Sequence, residues 1–236
     1  MPEKSGKTLT ASLLSFLVLC PLVAVVGALT LSGRSVYLVA VFMIMISIVP
    51  FFVCFENRKI KTSELVTVAV MISVCVISRC AFVFAPQVKP MCAFVIVTAC
   101  AFGANVGFVT GALSIFISNF VFGQGMYTPF QMLAMGLVGF IAGLIFYKKD
   151  TGKMRLTVAA VGAALCFFVY GIIVDTCSVL MLDAVSSVRE VLGIYASGAV
   201  FNFIHAAATF VVLLLVTKPM NDKLSRLRIK YGIFSF

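Results

Sequence analysis

The stretch PMCAFVIVTACAFGANVGFVTGALSIFISNFVF, residues 90–122, decides how this chain is folded. Read as one α-helix it would reach about 50 Å, against a hydrocarbon core of about 30 Å. Broken at Phe102-Gly-Ala-Asn-Val-Gly107, it becomes two short helices meeting in a turn. The row Ala99, Gly103, Gly107, Gly111 also sets small residues four apart, a pattern that a continuous helix could use for close packing. Around this stretch lie further apolar segments at about 9–31, 36–55, 63–84, 128–147, 155–180 and 190–217. The chain is 62% hydrophobic and 11% charged, with a mean hydropathy of +1.17. A soluble domain carries roughly 25% charged residues. The fold class is therefore an all-α integral membrane protein, a helical bundle.

Charge placement chooses between seven and eight spans. With residues 90–122 split in two, 14 of the 18 Lys and Arg residues fall on one side, leaving Arg34, Arg79, Lys89 and Arg189 on or near the other. With a single span the partition becomes 6 against 12. Short cytoplasmic loops collect cations, so the sequence predicts eight spans with both termini cytoplasmic. The outward connections are then 32–35, 85–90, 122–128 and 181–189. The net charge of +10 follows from this topology and does not point to nucleic acid.

Several function classes drop out early. Lys4 and Lys7 precede an apolar run too long for a signal-peptide core and lacking an A-x-A site, so a retained helix is expected. Ser5-Gly6-Lys7-Thr8 resembles the end of a P-loop, but the first Gly is missing and no strand precedes it. The eight Cys lie in or beside apolar runs without a CxxC pair and read as small core residues. With one His in the chain, no metal site or cofactor is expected. No Ser/His/Asp set, paired-carboxylate motif or HExxH is present, so the chain reads as no enzyme.

The candidate site residues are polar groups in or beside the spans, where burial is costly and usually tied to function. Phe122-Gly-Gln-Gly-Met-Tyr-Thr-Pro-Phe-Gln131 is a polar turn between two apolar segments, and Asn119, Gln124, Tyr127 and Gln131 surround it. Pro129 suits the first turn of the next helix, with Thr128 as its cap. Gln87 and Lys89 supply donors in the neighbouring loop. Asp175 can bind substrate or pair with Arg79. His205 shares a helix face with Asn202, and a hydrogen-bonded core role is favoured over ligand contact. From Lys218 onward the chain is basic and amphipathic, a surface anchor expected to begin where Pro219 ends the last span.

Three of these stretches resemble the substrate-binding S components of energy-coupling factor (ECF) vitamin transporters. They are AFGANVGFVTGALS (101–114) following Lys89-Pro90, SNFVFGQGMYTPFQM (118–132) and GFIAG (139–143). The middle one is the specific one and is similar to a cobalamin-type subgroup, which often has Trp where this chain has Tyr127 and Phe130. The likeness covers about residues 56–232. It implies a six-helix substrate-binding core over 63–217, an N-terminal helix pair within 1–62 and a basic cytoplasmic tail over 218–236.

The resemblance also implies a vitamin captured at the outward end, with cobalamin (vitamin B12) favoured. The partners it implies are an ECF transmembrane coupling subunit and two ATPase subunits, in the cell membrane of a prokaryote. The coupling subunit is expected to meet a small-residue face on the first core helix, here Ala69 and Ser73. The alternatives are an S component for another micronutrient, or a self-sufficient secondary transporter using Asp175 and His205 as a proton relay.

Overall fold

The computed structural model describes residues 61–182 and 187–233. The expected helices at 9–31 and 36–55 lie outside them. The described chain folds into six helices: α1 (Thr62–Ala81), α2 (Met91–Phe102), α3 (Ala104–Phe122), α4 (Thr128–Phe146), α5 (Arg155–Met181) and α6 (Val188–Tyr231). Five are long and apolar enough to cross a membrane, and α2 is the short one.

The break in 90–122 is at Gly103, whose φ of +99° is a backbone conformation that L side chains rarely adopt. The chain reverses there. A Cβ placed on Gly107 would come within 2.5 Å of the Ala99 Cβ, a contact that two residues eight apart in one helix could not make. The same Cβ would lie 2.7 Å from the Gly139 carbonyl oxygen, so α3 and α4 touch backbone to backbone. The small-residue row therefore serves both purposes: Gly103 turns the chain, and Gly107 packs it.

Nearly all of α2 is buried, with Cys92, Ala93, Val95, Ile96, Ala99 and Phe102 fully enclosed. Its hydrophobicity all round matches a central position. The outer faces of α1 and α6 expose Val66, Val70 and Ile77, and Leu192, Val200 and Phe203, as lipid-facing surfaces would. Within α5, Leu165–Gly171 is a π-helical segment that turns Cys166 and Tyr170 inward.

The last span does not end at Pro219. Helix α6 continues through it to Tyr231, a run of 44 residues. Proline removes one backbone hydrogen bond, but tertiary contacts hold the far end. The Arg228 guanidinium donates to the Ala101 carbonyl at 3.2 Å, and Lys61 Nζ donates to the Gly232 carbonyl at 2.8 Å. Leu224, one turn before Arg228, is buried.

Candidate substrate-binding site

The connections 82–90 and 123–127 share one end of the bundle, since α1 and α3 finish there and α2 and α4 begin there. The centre of that end is Arg79, in the last turn of α1 and 3% exposed. Its guanidinium Nη1 donates to Ser118 Oγ and, at 2.8 Å, to Asn119 Oδ1. The Phe122 ring lies 4.4 Å from the guanidinium carbon, a cation–π contact. Arg79 Nε has no hydrogen-bond partner. Among the described residues, no carboxylate lies within ion-pair distance of this buried cation.

Arg79 orders the polar turn through Asn119. The fully buried Asn119 amide donates to Thr128 Oγ1 at 3.1 Å and to Gln131 Oε1 at 3.0 Å. Thr128 Oγ1 also accepts from the Gly125 N–H at 3.2 Å. Thr128 is thus the first residue of α4 and not its cap. The residue ahead of the helix is Tyr127, which makes no side-chain cap bond. The competing partner was Asn119, nine residues back, and sequence spacing does not reveal it. Pro129 sits in the first turn, as expected.

Gln124 is exposed, and its Nε2 donates to the Phe116 carbonyl at 2.8 Å, closing the C-terminal end of α3. Tyr127 Oη donates to the Gly123 carbonyl at 2.7 Å. Gln131 is half-buried, and its Oε1 is taken by Asn119. Gln87 holds a left-handed φ of +60° in the adjoining loop.

Lys89, in that same loop, is half-buried and makes no hydrogen bond or ion pair with the described residues. Burial pushes its ammonium down to about 8, and the Arg79 charge pushes in the same direction. Arg79 and Lys89 thus form a cationic, donor-rich region without a carboxylate partner among the described residues. Sequence reasoning considered Arg79 only as a partner for Asp175. The available signal was an Arg inside an apolar span.

The Arg79–Asp175 pair, one of the two readings of Asp175, does not form. Asp175 Oδ2 accepts from Asn202 Nδ2 at 2.7 Å, and the pair is packed between Gly171 and Gly198, whose missing side chains make room for it. His205 lies on the same helix but is separate from that pair: it is buried and packs edge-on to the Tyr170 ring at 5.2 Å. No hydrogen bond links Asp175 to His205. Ala69 and Ser73 are both exposed on α1, far from these groups in sequence and on its outer face.

With this geometry in view, the family comparison is informative. Residues 59–222 match the family model of the ECF-type riboflavin transporter, S component.

The chain belongs to this family.

It is accordingly a membrane-embedded, substrate-binding subunit of a vitamin transporter and not an enzyme. S components work with ECF transmembrane and ATPase modules. No curated protein and no solved structure matched the chain.

Proposed function

We propose that the chain captures riboflavin, or a close flavin relative, at the end of the bundle built around Arg79, and delivers it to an ECF coupling subunit and two ATPase subunits. The observation that carries this reading is an excess of donors facing no acceptor. Among the described residues Lys89 Nζ and Gln131 Nε2 meet no hydrogen-bond acceptor, and Gln87 holds its left-handed turn two residues before Lys89. A ligand rich in carbonyl oxygens would satisfy these groups, and the pyrimidinedione edge of a flavin carries two. Phe122, Tyr127 and Tyr170 offer aromatic surface for the planar ring. Asn119 and Asp175–Asn202 would then act as supports that fix the site's shape.

Cobalamin is the second reading, favoured by the SNFVFGQGMYTPFQM stretch. Its carboxamide periphery also presents carbonyl oxygens to Gln, Asn and Lys donors. The reading as a self-sufficient secondary transporter draws no support from Asp175 and His205, which share no hydrogen bond and have different neighbours.

The test is equilibrium binding to the purified chain, with flavin followed by fluorescence quenching and cobalamin by absorbance. Riboflavin is expected to bind alone and with submicromolar affinity, and Gln131→Ala to weaken it about tenfold through one lost hydrogen bond of roughly 1.4 kcal/mol. Preferential binding of cobalamin would transfer the reading to the corrinoid. Binding of neither at micromolar concentration would sink both.

A further inference from the structure

Three residues from three helices meet below the Arg79 site: Cys92 in the first turn of α2, Cys166 in the π segment of α5, and His205 in α6. Their ligating atoms all lie within 4.8 Å of one another. Exposure is 0%, 1% and 2% respectively, so the group is sealed from solvent. His205 Nε2 has no hydrogen-bond partner. A buried ring nitrogen left unsatisfied costs about 1–3 kcal/mol.

We infer that Cys92, Cys166 and His205 form a binding site for a zinc ion. Two thiolates and one imidazole are donors that zinc prefers, and three protein ligands leave a fourth position in its tetrahedral shell. In such a shell the two sulfurs would stand about 3.8 Å apart, given Zn–S bonds of about 2.3 Å. The two sulfurs lie within 4.8 Å of each other, so side-chain adjustment of at most about 1 Å reaches that spacing. Charge also selects the metal. Zn²⁺ with two thiolates and a neutral imidazole is uncharged overall, which suits a low-dielectric interior. Cu⁺ on the same ligands would leave one net negative charge.

The balance is simple. Two S–H bonds break, two Zn–S bonds form, the imidazole gives its free lone pair, and two protons leave to solvent. Two neighbours support the thiolate at Cys166. Thr209 Oγ1 donates to its sulfur at 3.6 Å, and the Lys89 charge acts on it electrostatically. The Tyr170 ring fixes the imidazole plane. The π segment supplies Cys166, and π turns are often found at functional sites. Zinc there would tie α2, α5 and α6 together directly beneath the vitamin site. This inference rests on the trio alone and is independent of which vitamin is bound.

The experiment uses the full chain, purified under reductant and loaded with Zn²⁺ or with Co²⁺ as the spectroscopic probe. One ion per chain is expected, with a thiolate-to-cobalt charge-transfer band and an X-ray absorption signature of two sulfur neighbours. Cys92→Ala and Cys166→Ala should each abolish the band, while Cys75→Ala, a buried thiol outside the trio, should leave it unchanged. Thr209→Val should weaken the metal about tenfold. The wild-type spectrum keeps the test decisive if a Cys variant fails to fold. Nitrogen and oxygen neighbours only, a band that survives Cys166→Ala, or a native Cys92–Cys166 disulfide found by mass spectrometry would overturn the inference.

Discussion

At the scale of the residue, Arg79 and Lys89 set the character of the site. A charge held 3% exposed, with no carboxylate beside it among the described residues, is stabilised by dipoles, and Ser118, Asn119 and the Phe122 ring supply them. Lys89 has no such shell, which is why burial and the Arg79 charge pull it down to about 8, below the usual lysine value of about 10.4. Two opposite pH trends follow. A vitamin carbonyl that accepts from the ammonium is bound fully below pH 8, and its affinity falls by up to about tenfold at pH 9 as the proton is lost. Stability moves the other way. The unfolded chain holds the proton that the folded chain has released, so stability rises between pH 8 and about 10.4. Titrating binding and thermal unfolding across pH 7–10 checks both slopes. Lys89→Met should flatten them, and an unchanged binding profile in that variant would remove Lys89 from the site.

The residue scale also shows where the sequence was hard to read. The polar turn was visible as a candidate site because Gln, Asn and Thr in a lipid-embedded chain call for partners. The assignment of those partners was not visible. Thr128 reads as a cap until Asn119 reaches it, and Gln124 is bonded to Phe116. Side-chain networks that cross helices leave no local spacing to detect. The Cys92–Cys166–His205 trio is the extreme case, since its members are far apart in sequence.

At the scale of the element, the fold was more legible. Charge distribution and the length of residues 90–122 both required a break, and Gly103 provides it. The end of α6 was less so. Pro219 is a strong local stop signal, yet Arg228, Lys61 and Leu224 carry the helix on by contacts distant in sequence. The π segment in α5 had no signal of its own. The contact between α3 and α4 gives a direct stability test. Gly107→Ala would drive a methyl into the Gly139 carbonyl and the Ala99 side chain, at a cost of about 1–3 kcal/mol. Gly193 in α6 is the control, because a Cβ there meets nothing within 4 Å. Gly193→Ala should leave stability equal or slightly higher, as Ala favours helix by about 1 kcal/mol over Gly. Thermal unfolding in detergent separates the two; equal melting temperatures would mean that α3 and α4 are not in backbone contact.

At the scale of the whole molecule, binding and transport should be separable if the vitamin sits at the proposed Arg79 site and the partner on the outer face of α1, which are different surfaces. The outer face of α1 combines exposed Val66, Ala69, Val70, Ser73 and Ile77. Ser73 Oγ donates to the Ala69 carbonyl at 2.9 Å, so its hydroxyl is already satisfied and the face is flat and effectively apolar. Small residues four apart let another helix approach closely without exposing an unpaired polar group. We propose this face as the seat of the coupling subunit. A bulky side chain there would push the partner away while leaving the Arg79 network untouched. Ser73→Phe is therefore expected to bind vitamin as the parent does and to lose at least about tenfold in uptake, since any contact loss above 1.4 kcal/mol exceeds that factor. Uptake is measured in vesicles holding the chain with its coupling and ATPase subunits, and binding is measured on the isolated chain. Full uptake by Ser73→Phe would place the partner on another helix, and concentrative uptake by the isolated chain would remove the need for one.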